Sequence, residues 1–273
     1  MQTSDSRHLG KCTILLTRPP HQSKELHKLL EQQGAKVLHF PVIEIVPVSK
    51  TDTDNYIAAQ QIIARLDDYD IAIFISSNAV EQAVERVSQI RAIWPDKLKL
   101  AAIGDSTTRM LEHFGMRVDI QPATTFNSEA LLAMSLMQNV QGKNIVIFRG
   151  IGGRETLAEV LRQRGARVDY AEVYVRQRPS VDLSDLTSDQ RKGISAIIVA
   201  SNESLQNLYD MAGTKFRQWL LNTPMVLISQ RCGALANKLK FRHYIVAKQA
   251  SNIGLLNAAQ QCCEQYPVED RDD

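Results

Sequence analysis

Small polar and basic residues stand at one recurring place in this sequence, directly after short apolar runs. The junctions are Thr17-Arg18-Pro19, Ser76-Ser77-Asn78, Gly104-Asp105-Ser106-Thr107, Arg149-Gly150, Ser201-Asn202 and Ser229-Gln230-Arg231. If the runs are parallel β-strands, these residues lie at the carboxyl ends of a sheet, where open α/β sheets bind their ligands. Helices that begin there present free backbone N–H groups, which favour carboxylates and phosphates.

Helix capping is a second interpretation of the same serine, threonine and asparagine residues. Their side-chain oxygens accept hydrogen bonds from the backbone N–H groups of a first helical turn. Capping is the simpler explanation for any one junction. Because the junctions are spread over the whole chain, together they favour an anion-binding cleft between two lobes.

One loop, with the sequence Arg149-Gly150-Ile151-Gly152-Gly153-Arg154, has the most suggestive ligand-binding pattern. Glycines let a backbone approach a ligand closely, and arginines pair well with carboxylates. We therefore expect four residues of the loop to bind ligand: Arg149, Gly150, Gly152 and Arg154. The loop lacks the Lys-Ser/Thr ending of a P-loop and the spacing of a dinucleotide fingerprint, so it does not predict a nucleotide site.

Residues suited to covalent or metal chemistry form no recognisable pattern. The six histidines are scattered, and the four cysteines include no CxxC pair. No Ser-His-Asp, Cys-His or paired-carboxylate arrangement stands out. The sequence therefore supports neither metal catalysis nor covalent catalysis.

The apolar runs predict the elements that must position these residues. They are rich in Ile and Val and apolar almost throughout, which is typical of strands buried on both faces. A segment with helical spacing follows each run, and this alternation predicts parallel sheets covered by helices. The predicted strands are residues 13–17, 71–75, 98–103, 145–148, 194–200 and 225–229.

An internal repeat relates two strand–helix–strand segments. Residues 14–37 align without a gap on residues 145–168. The identical pairs are Arg18 and Arg149, Leu26 and Leu157, Leu30 and Leu161, Gln32 and Gln163, Gly34 and Gly165, Ala35 and Ala166, and Val37 and Val168. Two shorter matches pair Ser77-Asn78 with Ser201-Asn202 and Asn127-Ser128 with Ala250-Ser251. The pattern favours duplication over the convergence of two similar units.

Two extended segments that contain prolines, residues 40–48 and 170–179, interrupt the strand–helix alternation. We interpret them as connectors, because proline limits a strand to sheet edges or short ladders. Two connectors suggest that the chain crosses between lobes twice, although two consecutive halves also fit the pattern. The charged residues 267–273 predict a disordered tail.

Composition limits the classes of function. The chain has 273 residues, of which 44% are hydrophobic and 23% charged, ordinary values for a globular protein with two cores. A net charge of +2 argues against a dedicated nucleic-acid or membrane-surface protein. The first residues lack the apolar stretch of a signal peptide, and no run is long enough for a membrane helix. We therefore expect a cytoplasmic protein.

In their order and spacing, the motifs resemble those of the uroporphyrinogen-III synthase family. They extend from about residue 12 to residue 259 and comprise TRP, PVIEI, FISSNAV, AIGDST, SEALL, IVIFRGIGGRETLAEVLRQRGARVDYAEVYVR, VASNESLQNL, ISQRCGALA and ASNIGLLNA. The resemblance implies an α/β fold with two parallel-sheet lobes of Rossmann/flavodoxin-like type, joined by a two-stranded connector. The boundaries would be 1–39 with 179–273 for lobe 1, 48–170 for lobe 2, and 40–47 and 171–178 for the connecting strands.

The resemblance also implies an activity. Members of the family cyclise the linear tetrapyrrole hydroxymethylbilane to uroporphyrinogen III, with loss of water and inversion of ring D, and need no cofactor. The substrate carries many carboxylates, which would explain the polar strand ends. We expect a monomer with a small-molecule substrate, delivered by the preceding pathway enzyme, and no nucleic-acid or membrane partner.

Residue roles follow from the same resemblance. Tyr174 falls on the family's connector tyrosine, and a phenol protonated at neutral pH could donate a proton to the departing hydroxyl; packing between lobes is the alternative role. In some members a threonine stands where this chain has Arg231 or Cys232. The predicted substrate-binding residues are Arg18, Ser76, Ser77, Asn78, Thr107, Arg149, Gly150, Gly152, Arg154, Ser201, Asn202 and Arg231.

Two other functions share parts of this pattern. A two-lobed protein that binds a small anionic metabolite without catalysis would have the same strand-end donors, and Tyr174 would be dispensable to it. A nucleotide-dependent enzyme with two Rossmann-like lobes would need a phosphate loop or a metal-binding carboxylate pair, and the sequence shows neither.

Overall fold

The computed structural model describes residues 9–268, and the chain divides into two compact units. The first unit comprises the described parts of Met1–Glu44 and Gln177–Asp273, and the second comprises Ile45–Arg176. Each unit contains a five-stranded sheet. The α/β class with two mostly parallel sheets is therefore confirmed. The polar segment before residue 9 and the tail beyond residue 268 lie outside the described residues.

Strands and helices alternate along the described residues. The strands are β1 (Thr13–Leu16), β2 (Lys36–His39), β3 (Glu44–Pro47), β4 (Ile71–Phe74), β5 (Lys99–Ala102), β6 (Asn144–Gly150), β7 (Arg167–Gln177), β8 (Ile194–Val199), β9 (Met225–Leu227) and β10 (Tyr244–Val246). The α-helices are α1 (Pro20–Gln32), α2 (Thr53–Ala64), α3 (Ser77–Ile90), α4 (Asp105–His113), α5 (Ser128–Ala133), α6 (Ser135–Gln138), α7 (Thr156–Gln163), α8 (Ser188–Gly193), α9 (Asn202–Met211), α10 (Arg217–Asn222), α11 (Gln230–Lys238) and α12 (Asn252–Gln265). None of the helices within residues 9–268 is both long and apolar enough to cross a membrane.

The sheet of the first unit has the strand order β10-β9-β8-β1-β2, and its neighbouring strands pair in parallel. Leu15 belongs to one cluster of buried apolar side chains, whereas Ile14 and Leu16 belong to the cluster on the opposite face. Burial on both faces explains why this run is apolar at every position instead of at alternate positions.

The sheet of the second unit has the order β3-β7-β6-β4-β5, and the strands from β7 to β5 pair in parallel. Successive residues again alternate between two buried clusters, with Ala72 and Phe74 in one and Ile71 and Ile73 in the other. The aromatic rings of Phe74 and Phe148 stack across β4 and β6, with centroids 4.9 Å apart. The six strands predicted from apolar runs are all present. β2 and the start of β7 are the second strands of the repeated segments, β3 and the end of β7 lie in the predicted connectors, and β10 was not predicted.

The strand–helix–strand segments that align in the sequence also align in the structure. Ile14 pairs with Val37 across β1 and β2, and Ile145 pairs with Val168 across β6 and β7. These are the residues that the gap-free alignment matches. The helices α1 and α7 connect the strands in each segment, so the longest predicted match is confirmed in both element type and register.

The two shorter matches were wrong by one residue. Ser76 is the N-cap of α3, just as Ser201 is the N-cap of α9, and each side chain accepts a hydrogen bond from the backbone N–H three residues later. The equivalent of Ser201 is therefore Ser76, and not Ser77. Asn127 and Ser251 are likewise equivalent N-caps, of α5 and α12. The error arose because adjacent serines and asparagines offer more than one match by residue type, whereas cap geometry selects one.

The segments interpreted as connectors contain β3 and the end of β7, which are neighbours in the second sheet. Next to β3, the backbone N–H of Val48 donates to the carbonyl of Val173 on β7, at 3.1 Å. β7 is one continuous strand from Arg167 to Gln177. The second connector is thus the extension of a strand whose first part pairs with β6.

Candidate active site

In both units the polar junction residues lie where parallel strands end. In the second unit, Ser76 follows β4, Gly104 follows β5 by two residues, and Gly150 ends β6. Because these strands are parallel and adjacent, their carboxyl ends share one edge of the sheet. Three of the junction serines, Ser76, Ser201 and Ser229, accept a backbone hydrogen bond as N-caps. The capping interpretation is therefore confirmed for these three residues.

A β-bulge in β7 determines the direction of Tyr174. Arg149 pairs with Glu172 and the next residue of β6, Gly150, pairs with Tyr174, so Val173 is the extra residue. Strict alternation would place Val173 and Tyr174 on opposite faces of the sheet. The bulge instead places both in the same buried cluster. Bulges commonly re-aim a side chain next to a functional site.

The side chain of Tyr174 is fully buried, and two polar groups contact its hydroxyl. Ser76 Oγ lies 3.1 Å away, and Arg176 Nη2 donates to the hydroxyl at 3.2 Å. The guanidinium of Arg176 also lies 5.7 Å from the centre of the ring. Tyr174 thus links β7 to the N-cap of α3. In this structure the phenol is shielded from solvent, so proton donation from Tyr174 to a substrate stays a prediction.

Gly150 makes room for this contact. β6 lies between β7 and β4 in the sheet, so the ring of Tyr174 passes over β6 to reach Ser76. A Cβ atom on Gly150 would lie 2.6 Å from Cε2 and 2.7 Å from Cζ of Tyr174. The glycine pattern in the sequence predicts that Gly150 lets a ligand approach the backbone. The structure shows that a tyrosine ring occupies that space.

Arg149 is used inside the protein, contrary to the expectation that it binds a ligand. Its side chain is almost completely buried, and Nη1 donates to Glu155 Oε1 at 3.0 Å. Nε lies 3.7 Å from Glu172 Oε1, and the guanidinium stands 4.4 Å from the ring centre of Tyr170. A buried guanidinium needs acceptors for its N–H donors. Because Arg149 finds these acceptors within the protein, its role is to hold the loop in place.

The glycines of the loop wrap around that guanidinium. Arg149 donates to the carbonyls of Gly150 and Gly152. Gly152 and Gly153 have φ of 74° and 108°, a region that L side chains rarely adopt. A Cβ atom on Gly153 would also lie 2.9 Å from Arg149 Nη2. Of the four loop residues predicted to bind ligand, Arg154 is the only one with a side chain that is exposed to solvent.

Two titrating groups complete this network. The Tyr170 hydroxyl donates to Glu155 Oε2 at 2.5 Å. Burial, together with this bond, raises the pKa of Tyr170 to about 12. The same bond, followed by the Arg149 guanidinium, holds the pKa of the Glu155 carboxyl below its usual range. The loop is therefore held by a protonated phenol, a carboxylate and a buried cation.

The remaining predicted residues of the second unit lie in the first turns of two helices. Ser77 is half-buried and Asn78 is buried at the start of α3. Thr107 is buried in the first turn of α4, and its backbone N–H donates to the Gly104 carbonyl at 3.0 Å. Oγ1 of Thr108 is buried without a hydrogen-bond partner among residues 9–268. The structure brings these residues to the same edge as Ser76.

The first unit repeats this arrangement. Thr17, which follows β1, is buried, and its hydroxyl donates to the Ile198 carbonyl at 2.8 Å. Burial lowers the pKa of the adjacent Arg18. Ser201 Oγ lies 2.8 Å from Ser204 Oγ. Oδ1 of Asn202 is buried and has no hydrogen-bond partner within the described residues. These side chains share the carboxyl edge of β1 and β8.

The helix positions separate Arg231 from Cys232. Cys232 is the third residue of α11 and is buried, just as Thr107 is the third residue of α4 and is buried. Arg231 precedes it and is exposed. Cys232, and not Arg231, is therefore the structural counterpart of Thr107.

Arg176 is a residue at the site that is not among the site residues predicted from the sequence. Side chains two residues apart in a strand lie on the same face, so the spacing of Arg176 from Tyr174 could have predicted that the two are neighbours. The partnership of Tyr174 with Ser76 had no such signal, because 98 positions separate the two residues.

Comparisons with known proteins point to one family. The family model for uroporphyrinogen-III synthase HemD matches residues 24–257. The uroporphyrinogen-III synthase of Escherichia coli (strain K12) is 32% identical over 250 residues, which cover 91% of this chain and 100% of that protein. The Salmonella typhimurium uroporphyrinogen-III synthase is 33% identical over 251 residues, with the same coverage of both chains. A crystal structure of uroporphyrinogen-III synthetase from Helicobacter pylori 26695 matches with a TM-score of 0.58 and 14% identity, over 92% of this chain and 99% of that one. At that identity the structural match shows the fold alone.

Proposed function

Since the chain belongs to the uroporphyrinogen-III synthase family, we propose that it cyclises hydroxymethylbilane to uroporphyrinogen III. The reaction closes the ring with loss of water and inverts ring D, and it uses no cofactor. The observation that carries the proposal is the similarity over the full length of two relatives that bear this name, each covered completely.

The chemical task is one of orientation. The linear substrate also closes spontaneously, and the enzyme must select the ring-D carbon that attacks, which is a positioning effect. Binding many carboxylates is a direct way to hold a flexible chain. We assign that binding to the carboxyl edges of the two sheets, where helix N-termini favour anions. The side chains proposed for it are Arg18, Ser77, Asn78, Thr107, Arg154, Asn202 and Arg231, together with the capping residues Ser76 and Ser201.

Departure of the substrate hydroxyl requires a proton. We propose that Tyr174 supplies it, with Ser76 and Arg176 fixing the position of the phenol at 3.1 Å and 3.2 Å. Arg176 also favours a neighbouring anion, such as a substrate carboxylate. Because Tyr174 is fully buried, this role requires the groups that cover the phenol to move when substrate binds.

Four further points belong to the proposal. The enzyme is cytoplasmic and works as a monomer, and it receives its unstable substrate from the preceding pathway enzyme. It has no nucleic-acid or membrane partner, in keeping with a net charge of +2.

The distribution of porphyrin isomers tests the activity. Hydroxymethylbilane is generated in situ, with and without the purified protein, and the products are oxidised and separated. We expect the type III isomer to dominate only when the protein is present. If folded protein leaves the spontaneous type I isomer as the sole product, the proposed activity is wrong, and a two-lobed anion-binding protein becomes the better description.

Replacement of Tyr174 by phenylalanine tests the proton donor. We expect Tyr174→Phe to lower kcat by about tenfold or more and to leave KM within about twofold, because proton donation acts in the transition state. The matched control is Tyr69→Phe, which also removes a buried hydroxyl from the second unit; that hydroxyl donates to Asp169 at 2.7 Å. Both variants should lose about 1 kcal/mol of stability. Equal kcat values in the two variants would remove Tyr174 from the mechanism.

A further inference from the structure

A cavity of about 280 Å³ lies in the second unit, where the strands β4, β5 and β6 begin. Its charged lining residues are Asp70 before β4, Lys97 and Lys99 around the start of β5, and Lys143 before β6. The candidate active site lies at the opposite, carboxyl ends of these parallel strands. Ser76 is five residues beyond Ile71, the first residue of β4, a separation of about 16 Å along an extended chain. The cavity is therefore distinct from the candidate active site.

Asp70 contributes a negative charge to the cavity, and both of its carboxylate oxygens are bound within the protein. Lys143 Nζ donates to Oδ1 at 3.0 Å, and the backbone N–H of Asn144 donates to Oδ2 at 2.9 Å. The hydrogen bond from Asn144, together with the lysine charges nearby, holds the pKa of Asp70 below its usual range. Asp70 is therefore ionised at neutral pH and offsets one of the lysines.

The lysines outnumber this carboxylate by two among the described residues that line the cavity. Lys97 and Lys99 are exposed, and neither ammonium group forms an ion pair or a hydrogen bond with a residue between 9 and 268. Asp119 stands beside the lining residue Ile120 but does not itself line the cavity, and its carboxylate accepts from the backbone N–H of Leu100 at 2.9 Å. The cavity thus has an uncompensated positive charge that ligands can reach.

The positive charges stand on two sides of the cavity, and its lining is partly apolar. Lys143 precedes β6 and Lys99 begins β5, and β4 lies between these strands, so the two backbones are about 10 Å apart. The apolar lining includes Leu136 of α6, which is 44% exposed. A single compact anion such as phosphate would meet one side and leave Leu136 in water. The volume is below the roughly 300 Å³ at which pockets for drug-sized ligands begin, so the occupant must be small.

We propose that this cavity binds a small dicarboxylate with an apolar body. One carboxylate pairs with Lys97 and Lys99, and the other pairs with Lys143, whose ammonium group has two donors besides the one bound to Asp70. The apolar body covers the side chain of Leu136 and removes it from water. The proposal does not depend on the cyclisation activity, because none of the residues assigned to the candidate active site lines the cavity.

Backbone amide NMR of the isotope-labelled full chain tests the proposal. Terephthalate, a benzene ring with carboxylates at opposite ends, should shift the amides of Lys99, Leu136 and Asn144 in a saturable way at up to about 50 mM. Benzoate lacks the second carboxylate and succinate lacks the ring, so each should bind at least about fivefold more weakly. Sodium chloride keeps the ionic strength equal in all titrations, because salt screens ion pairs. No saturable shift at these amides, or equal affinity for benzoate or succinate, would overturn the proposal.

Two lysine variants separate this site from a general attraction of anions to the protein. Lys99→Gln removes one lining charge and should weaken terephthalate binding by about fivefold or more. Lys36→Gln is the matched control, because Lys36 is also an exposed lysine that begins a parallel strand, β2, but it does not line the cavity. Its affinity for terephthalate should equal that of the wild type. Equal weakening in both variants would contradict a defined site. Neither substitution alters a buried side chain, so both proteins should remain folded.

Discussion

Gly150 and Tyr174 form a close fit between a backbone and a side chain at the candidate site. The tyrosine ring fills the space that a side chain on β6 would occupy, and its hydroxyl contacts the N-cap of α3. Arg149, the residue before Gly150, is enclosed by its own loop. At the scale of single residues, this part of the chain is therefore held by internal contacts, and we propose that substrate binding falls to neighbouring side chains such as Arg154.

Substitution of Gly150 by alanine should disturb that fit. The new Cβ atom would lie 2.6 Å from Tyr174 Cε2, so the buried ring must move. We expect Gly150→Ala to destabilise the protein by about 1–3 kcal/mol and to lower kcat. Gly193→Ala is the control, because a Cβ atom there meets nothing within 4 Å, and stability should stay constant or rise by up to about 1 kcal/mol. Urea denaturation and the isomer assay provide both readouts, and wild-type stability of Gly150→Ala would refute the steric argument.

The Tyr170–Glu155 hydrogen bond predicts a pH dependence of stability. The folded state raises the pKa of Tyr170 to about 12. The resulting stabilisation is complete below the ordinary tyrosine pKa near 10 and is lost as the pH rises through the folded value. The difference in unfolding free energy between wild type and Tyr170→Phe should thus be constant below about pH 9.5 and shrink above about pH 10.

Urea denaturation between about pH 8 and pH 11 measures this difference. In Glu155→Gln the loss of stability should still begin near pH 10, where the unfolded tyrosine titrates, but it should be smaller and end at a lower pH, because without the carboxylate the folded pKa of Tyr170 lies closer to its ordinary value. Parallel pH profiles for the wild type and Tyr170→Phe throughout that range would show that Tyr170 titrates normally.

At the scale of elements, two residues that cap helices are also among those proposed to bind substrate. Ser201 accepts the hydrogen bond of the Ser204 N–H at 3.0 Å and thereby fixes the start of α9. Ser76 does the same for α3 with the Ala79 N–H, at 3.1 Å. Each cap directs the first turn of a helix toward the carboxyl edge of its sheet, so a structural role does not exclude a role in binding.

A pair of Ser201 variants separates the two roles. Ser201→Ala should cost about 1 kcal/mol, because it removes the cap, whereas Ser201→Asp should retain most of the stability, since aspartate is an equally good N-cap. If Ser201 also lies near substrate carboxylates, the new carboxylate of Ser201→Asp should raise KM by repulsion. Denaturation and steady-state kinetics measure the two effects. Wild-type KM in Ser201→Asp would restrict the residue to capping.

At the scale of the whole molecule, the two units repeat one sheet in a different chain order. The strand order β9-β8-β1-β2 of the first unit corresponds to β5-β4-β6-β7 of the second. The repeated strand–helix–strand segment opens the first unit and closes the second. Parallel sheets tolerate a different chain order because their strands are joined by helical crossovers and not by tight turns. The chain leaves the first unit after β2 and returns to it before β8.

The sequence by itself determined the features that depend on neighbouring residues. Runs of Ile and Val specified strands buried on both faces, and Gly34 and Gly165 marked the helix ends, where φ is 87° and 85°. The order of many weak motifs identified the family. The residue types at the strand ends also marked the junctions, although adjacent serines and asparagines left two repeat matches one residue out of register.

Only the tertiary structure decided how side chains are used, because that depends on residues far apart in the chain. A bulge turned Tyr174 toward the cluster of Val173 and within reach of Ser76. Arg149, which has the right type and position for a ligand, is buried among its own loop carbonyls and two carboxylates. Arg86 gave no sequence signal, since an arginine in an amphipathic helix is usually exposed. The packing of α2 and the segment after β3 buries it.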